Sequence, residues 1–257
     1  MSDTAETLGQ LLSQSWSEYD RLNGCHHVVR PAIPILFFGD SKRYLSSPLK
    51  VLTVGLNPSE AEFPNDDRFS RFPAAKNIAD DPPQREISWH LAALDSYFRT
   101  NPYTRWFGCF EPILTGLGSS FYDGRENSAL HTDLCSPVAT SPTWAKLSKD
   151  QQSHLLPEGV KLWHSLVKAL APNVVLISVA RRYLNYIEFR RLGPSRVIWR
   201  LERSRPYEVE ATRIEIEPTK SSLLVFGRAA QTPFGTISSA DKETTGTTIK
   251  EQFHAGS

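Results

Sequence analysis

Apolar residues recur along this chain in two rhythms, and together they lay out an α/β fold. The first rhythm is helical. Leu8, Leu11, Leu12, Trp16, Tyr19 and Leu22 return at steps of three and four, which predicts a helix over 5–23. Ile87, Leu91, Leu94 and Phe98 predict another over 86–99. Val160, Trp163, Leu166, Val167 and Leu170 mark a third over 157–170, with Pro157 suited to its first turn and Pro172 ending it. The second rhythm is the short, nearly unbroken apolar run bounded by turn residues, the pattern of a strand buried on both faces. Val51, Leu52, Val54 and Leu56 form one such run, residues 174–179 a second and 222–227 a third. Residues 129–135 read as a further strand that ends at Pro137, and 196–200 and 214–217 are additional strand candidates. Residues 102–118 are mixed, with Trp106, Phe107 and Phe110 expected in or near the core.

Strands that alternate with helices predict an α/β class, specifically a three-layer α/β/α sandwich around a mostly parallel four-stranded sheet. No internal repeat is visible. At 257 residues the chain is expected to be a single domain. Its parts are a helical N-terminal extension (1–48), a core (49–236) and a Thr/Ser/Lys/Glu-rich flexible tail (237–257). The segment 59–85 is long, polar and punctuated by Phe63, Phe69 and Phe72. A loop of that length inside a compact domain is usually functional.

Composition narrows the class. With 40% hydrophobic and 22% charged residues the chain reads as a soluble globular protein able to bury a real core. No segment is apolar enough to span a membrane and no secretory signal pattern opens the chain, so a cytoplasmic monomer is expected. The three cysteines, Cys25, Cys109 and Cys135, are too few for a four-cysteine cluster and include no C-x-x-C. Cys25-His26-His27 has no further ligand at a suitable spacing, so neither a metal nor a cofactor is expected.

The net charge of +1 hides an uneven distribution. Residues 181–205 hold eight arginines, Arg181 and Arg182 first among them, opposed locally by Glu188 and Glu202 alone. Tyr183, Tyr186, Phe189 and Trp199 are interleaved, the footprint of a phosphate-rich partner such as DNA. A solvated face with local ion pairs reads the same run as well.

Candidate chemistry sits at strand ends. In open α/β sheets, ligands bind beyond the carboxyl ends of the strands. Gly55 permits close backbone approach, Leu56 closes the run, and Asn57-Pro58 breaks the ladder there, which places Asn57 where chemistry is expected. The alternative is a turn asparagine bonded to its own backbone. On the second marked strand His131 and Asp133 are two apart and share a face. Asp133 alternatively caps a turn, and His131 is alternatively a satisfied structural histidine.

Taken in order, these motifs resemble the uracil-DNA glycosylase superfamily over roughly residues 49–236. Gly55-Leu56-Asn57-Pro58-Ser59 is similar to the Gly-x-Asn-Pro-Gly motif of the mismatch-specific and single-strand-selective branches, with Ser59 in place of the last glycine. Thr132-Asp133-Leu134-Cys135 resembles the base-reading His-Asn-x-Cys-Pro strand. The loop at 228–235 stands where the family has His-Pro-Ser and lacks the histidine. The resemblance implies an enzyme that flips a nucleotide out of DNA and hydrolyses its N-glycosidic bond. It implies Asn57 as the residue that positions the attacking water. Glu60, Glu62, Asp66 or Asp67 is a possible supporting carboxylate. His131 would supply an electrophilic hydrogen bond, with Gly55, Leu56, Phe63 and Asp133 around the base. Arg228, Gln231 and Thr232 would press on the DNA, and Arg181 and Arg182 would contact phosphates.

The departure at Asp133 points away from uracil. An asparagine amide matches O4 and N3–H of uracil, whereas an ionised carboxylate only accepts. It suits an exocyclic amine such as cytosine N4. The expected target is therefore a modified cytosine, with foreign DNA such as phage DNA as a natural source. Uracil excision in base-excision repair, non-catalytic binding of modified DNA, and action on free nucleosides stand as alternatives.

Overall fold

The apolar runs are strands in the computed structural model, which describes residues 2–76, 86–122 and 124–255. They are β1 (Val51–Gly55), β3 (Asn127–Asp133), β4 (Val174–Ile177) and β8 (Lys220–Gly227); β1, β3 and β4 are buried along their whole length. Four more strands complete the sheet: β2 (Ser119–Ser120), β5 (Arg190–Arg191), β6 (Arg196–Leu201) and β7 (Tyr207–Glu217). The order is β2-β3-β1-β4-β8-β7-β5, with β6 also paired to β7. β2 runs parallel to β3, β1 to β4 and β4 to β8, while β7 is antiparallel to β8, β5 and β6.

The α/β class with a mostly parallel sheet is therefore present, but the sheet has eight strands rather than four. The difference lies in β7. Tyr207, Val209, Ala211, Ile214 and Ile216 are buried while Glu208, Glu210, Arg213 and Glu215 alternate with them at half-buried positions. The buried positions change parity between Ala211 and Thr212, so the strand buries one face in its first half and the other in its second, a mixed pattern that a search for unbroken apolar runs catches only at 214–217.

The chain divides into two compact units. One comprises Met1–Asp40, Leu56–Tyr103 and His131–Leu170; the other comprises Ser41–Gly55, Thr104–Leu130 and Ala171–Ser257. The second unit holds the sheet, apart from the last three residues of β3, and the helices α2 (Ser41–Ser46), α4 (Thr104–Phe107), α5 (Glu111–Leu117) and α7 (Ser239–Ala255). α7 corrects the expectation of a flexible tail, of which residues 256 and 257 lie outside the described residues. It crosses α5 at two glycines. A Cβ on Gly246 would lie 2.1 Å from the Ile113 carbonyl oxygen, and one on Gly116 would lie 2.1 Å from that of Glu243. Lys242 is buried and its Nζ donates to the carbonyls of Cys109 at 2.8 Å and Pro233 at 3.1 Å. α7 is hard to see in sequence because its buried residues are Lys242, Thr245, Gly246 and Ile249. Close backbone approach, rather than an apolar stripe, holds it in place.

The first unit is built on α1 (Ser2–Arg21), α3 (Ile87–Asp95) and α6 (Lys149–Leu170). All six apolar positions expected to form the α1 face are buried, and the helix packs on α6 and α3. Trp16 Nε1 donates to His90 Nδ1 at 3.0 Å. The N-terminal helix is thus integral to this unit rather than an extension. α6 begins two turns before Pro157. Ser148 Oγ accepts from the Gln151 N–H at 3.2 Å and Gln151 Oε1 accepts from the Ser148 N–H at 2.8 Å. This Ser-x-x-Gln capping box is a stronger start signal than the proline. Two contacts tie α6 to the chain after β3. Trp163 Nε1 donates to Thr132 Oγ1 at 2.8 Å, and Gly159 lies against Cys135, where a Cβ would sit 1.9 Å from the carbonyl oxygen.

Candidate active site

Asn57 follows β1 by two residues, in a stretch that runs alongside residues 135–140. The Cys135 N–H donates to Leu56 O at 2.8 Å and the Thr140 N–H to Pro58 O at 3.1 Å. The Asn57 amide is oriented by this neighbour. Its Nδ2 donates to Pro58 O and Thr140 Oγ1, both at 2.8 Å, and to Val138 O at 3.4 Å. Thr140 Oγ1 passes its own hydrogen to Pro142 O at 2.9 Å. Three acceptors around one NH2 group fix which end of the amide is nitrogen. Oδ1 accepts no hydrogen bond from the described residues, and Asn57 is half-buried. The donor side of the amide is spent on the scaffold, and the acceptor side remains available.

His131 and Asp133 share a face of β3, as expected, and both are buried. His131 Nε2 lies 3.8 Å from Asp133 Oδ1, within electrostatic reach but beyond a hydrogen bond. His131 exchanges two backbone hydrogen bonds with Phe38, and its ring tilts against the Phe38 ring at 5.7 Å. The Asp133 carboxylate, 5% exposed, takes no hydrogen bond from the described residues. Nothing there shows Asp133 capping a turn. Its oxygens keep a small contact with solvent, so an outside donor can reach them.

Among the four carboxylates near Asn57 in sequence, burial singles out Glu62. Asp66 and Asp67 are exposed, and exposed Glu60 accepts from Ser141 Oγ at 2.5 Å. Glu62 is 4% exposed and its Oε2 accepts from Tyr97 Oη at 2.5 Å. Burial pushes its carboxyl up to about 7; the Tyr97 hydroxyl and Arg71 hold it down, and the charge of Asp133 adds to the rise. The chemical signal for Glu62 is absent from its local sequence, because Tyr97 reaches it from 35 positions away.

Phe63 lies in an aromatic cluster rather than at an open surface. Its ring stacks on Phe72 at 5.6 Å and meets Phe69 edge-on at 6.1 Å, and all three are buried. The cluster continues from Phe72 to Tyr97 at 5.1 Å and from Tyr97 to Phe38 at 4.8 Å. Phe63, expected beside the base, thus packs against Phe69 and Phe72. Residues 77–85 of the long loop lie outside the described residues.

Gly55, Arg181, Arg182, Arg228, Gln231 and Thr232 belong to the other unit. Gly55 is the buried last residue of β1. In the loop after β8, Arg228 and Gln231 are exposed and Thr232 is half-buried. The base of the loop is fixed by Phe234, a non-glycine residue at φ +50°. Its N–H donates to Ser178 Oγ at 2.8 Å and its ring fills the space a Cβ on Gly227 would occupy. Tyr207 Oη donates to Arg228 O at 2.7 Å.

Three of the eight arginines in the run are ion-paired. Arg181 pairs with Glu210, Arg190 with Glu215 at 2.7 Å, and Arg200 with Glu202 at 2.8 Å and Glu208 at 3.4 Å. Arg182 lies over the Tyr183 ring at 4.9 Å. Apart from Glu202, the glutamates come from β7, outside the 25-residue window in which the charges look unopposed. Arg191, Arg196, Arg205 and Arg228 are exposed and form no ion pair among the described residues.

No helix among the described residues is long and apolar enough to cross a membrane. Comparison with protein-family models, with curated proteins and with solved structures finds no match to this chain.

Proposed function

We propose that this protein is a monofunctional DNA glycosylase, a divergent relative of the uracil-DNA glycosylase superfamily. It flips a modified pyrimidine out of DNA and hydrolyses the N-glycosidic bond, leaving an abasic site. The observation that carries the reading is a buried carboxylate, Asp133, without a hydrogen bond from the described residues, on the same unit as an asparagine whose acceptor oxygen is left available. A carboxylate accepts from an exocyclic amine and repels a carbonyl oxygen. The preferred base is therefore a modified cytosine rather than uracil.

Asn57 contributes orientation. Its Oδ1 accepts a hydrogen from water and aims the oxygen lone pair at the anomeric carbon, while the three bonds to Nδ2 keep the amide from turning. An amide is too weak a base to take the proton itself. His131, beside Asp133, polarises the base. The exposed cations Arg191, Arg196, Arg205 and Arg228 supply phosphate contacts.

Two measurements test this. Purified protein is incubated with duplex and single-stranded oligonucleotides carrying uracil, cytosine, 5-methylcytosine, 5-hydroxymethylcytosine or 5-carboxylcytosine, and the released base is identified by mass spectrometry. Release of a substituted cytosine is expected. Robust uracil release with none from any cytosine derivative overturns the base assignment, and DNA binding with no release from any substrate overturns the enzymatic one. Asn57→Ala is expected to lower the single-turnover rate about 100-fold or more with little change in DNA affinity.

A further inference from the structure

The long loop brings one side chain inside that its polar neighbours leave outside. Glu62 ends the turn Glu60–Glu62, which is capped by Ser59 Oγ accepting from the Ala61 N–H at 3.3 Å. Its carboxyl has two unlike oxygens. Oε2 holds the Tyr97 hydroxyl, and Tyr97 Oη in turn accepts from the Tyr103 N–H at 2.9 Å. Oε1 takes no hydrogen bond from the described residues. From Tyr97 the rings pass to Phe38 and then to His131, which shares its strand face with Asp133. The charged and titratable groups acting on Glu62 are Tyr97, Arg71 and Asp133. Arg71 is held by the carbonyls of Ala61 at 2.9 Å and Asn101 at 2.6 Å, so its charge is fixed in place. Burial above all, with the charge of Asp133 adding to it, favours the neutral form of the Glu62 carboxyl.

We propose that Glu62 is the acid of this site: it enters the reaction neutral and passes its proton to the ring nitrogen of the departing base. This rests on the glycosylase reading and sharpens its substrate class. A 4-aminopyrimidine presents an amine hydrogen at N4 and a lone pair at N3. Asp133 accepts from the amine, and neutral Glu62 donates to N3. A 4-oxopyrimidine carries a hydrogen at N3 and has no lone pair there to receive one.

The step balances without any co-reactant but water. The C1′–N1 bond breaks and its electron pair goes to the base. The Glu62 proton moves to N3, so the base departs neutral rather than as an anion. Water oriented by Asn57 adds its oxygen to C1′, and the proton it sheds returns through solvent to the Glu62 carboxylate. One water is consumed and the acid is restored. General acid assistance of this kind contributes about 100- to 10,000-fold to the rate.

The test is a pH–rate profile under single-turnover conditions, from pH 5.5 to 9. The probe is the cytosine derivative released fastest in the panel above, with wild type, Glu62→Gln and Tyr97→Phe compared. The wild-type rate is expected to be level at low pH and to fall tenfold per pH unit above neutrality as Glu62 loses its proton. Glu62→Gln, which donates a hydrogen bond but cannot transfer the proton, is expected to be slowed at least 100-fold. Its profile has no falling limb, and its DNA affinity and thermal midpoint at pH 6 are maintained. Tyr97→Phe removes a donor that favours the carboxylate form, so the falling limb moves to higher pH. A Glu62→Gln enzyme with the wild-type rate and profile overturns the role of Glu62 while leaving the glycosylase reading intact; so does a Tyr97→Phe profile that does not move. Release of uracil but of no cytosine derivative overturns the role of Glu62 together with the base assignment, and failure of the wild type to release any base overturns the glycosylase reading as well.

Discussion

A single atom in the side chain of residue 133 separates two readings of this site. Asp133→Asn exchanges one accepting oxygen for a donating NH2 group, so a carbonyl can be received where only an amine fitted before. The proposed function predicts that this variant shifts preference from substituted cytosine toward uracil by about ten- to a hundredfold, the discrimination one base-edge contact supplies. Competition assays on paired oligonucleotides measure it, and an unchanged ratio removes Asp133 from base reading. Glu62 makes a second prediction, one that needs no substrate. Its folded carboxyl titrates at about 7 against an ordinary 4.5, so the folded state binds the proton more tightly than the unfolded state. The stabilisation is complete below pH 4.5 and is lost as pH rises through 7. At about 1.4 kcal/mol per pH unit, the loss is roughly 3 kcal/mol over that window. Denaturant unfolding of wild type is expected to show this decline, and Glu62→Gln to lack it. Of the residues in the proposed site, Asn57, His131 and Asp133 stand out in sequence because each lies at or just beyond the end of a strand. Glu62 was one of four equivalent carboxylates. It is met by Tyr97, whose ring packs on Phe38 and Phe72 and whose approach no local pattern announces.

At the scale of elements, legibility followed the kind of contact that holds each one. α1 was visible because it is secured by large apolar side chains at helical spacing, and β4 because both its faces are covered. α7 and the first two turns of α6 were not, since they rest on glycine contacts and on a capping box. β7 interleaves charge with its buried residues and switches its buried face between Ala211 and Thr212, so it does not resemble the parallel strands beside it. The α5–α7 crossing can be tested directly. Gly246→Ala places a methyl group against the Ile113 carbonyl with no flexible side chain to yield. The expected cost is about 1–3 kcal/mol, the range for overpacking a closed contact, and is read as a lowered melting temperature. An unchanged midpoint shows that α7 is not bound as described. The same geometry at Gly159 explains why the turn carrying Cys135 has a fixed position beneath Asn57's neighbour Leu56.

At the scale of the whole molecule, net charge and arginine count are poor guides to a nucleic-acid surface; what matters is which cations are already neutralised. Arg181, Arg190 and Arg200 are paired with glutamates, and displacing those partners offsets much of what a phosphate contact offers. Arg191, Arg196, Arg205 and Arg228 have no such partner among the described residues. Each phosphate neutralised releases counterions, so the logarithm of the affinity falls with the logarithm of salt by about 0.9 per contact on duplex DNA. Replacing Arg196 or Arg228 by alanine is therefore expected to reduce that slope by about 1 and to weaken binding equally on all sequences. Replacing Arg190 is expected to leave the slope unchanged, because its charge is answered within the protein by Glu215. Binding titrations across a range of salt concentrations separate the two sets. If Arg190 and Arg196 prove equivalent, the ion pairs do not govern which cations meet DNA. If no variant alters the slope, this face does not meet DNA at all, and the proposed chemistry at Asn57, Asp133 and Glu62 has to be tested on a smaller substrate such as a free nucleoside.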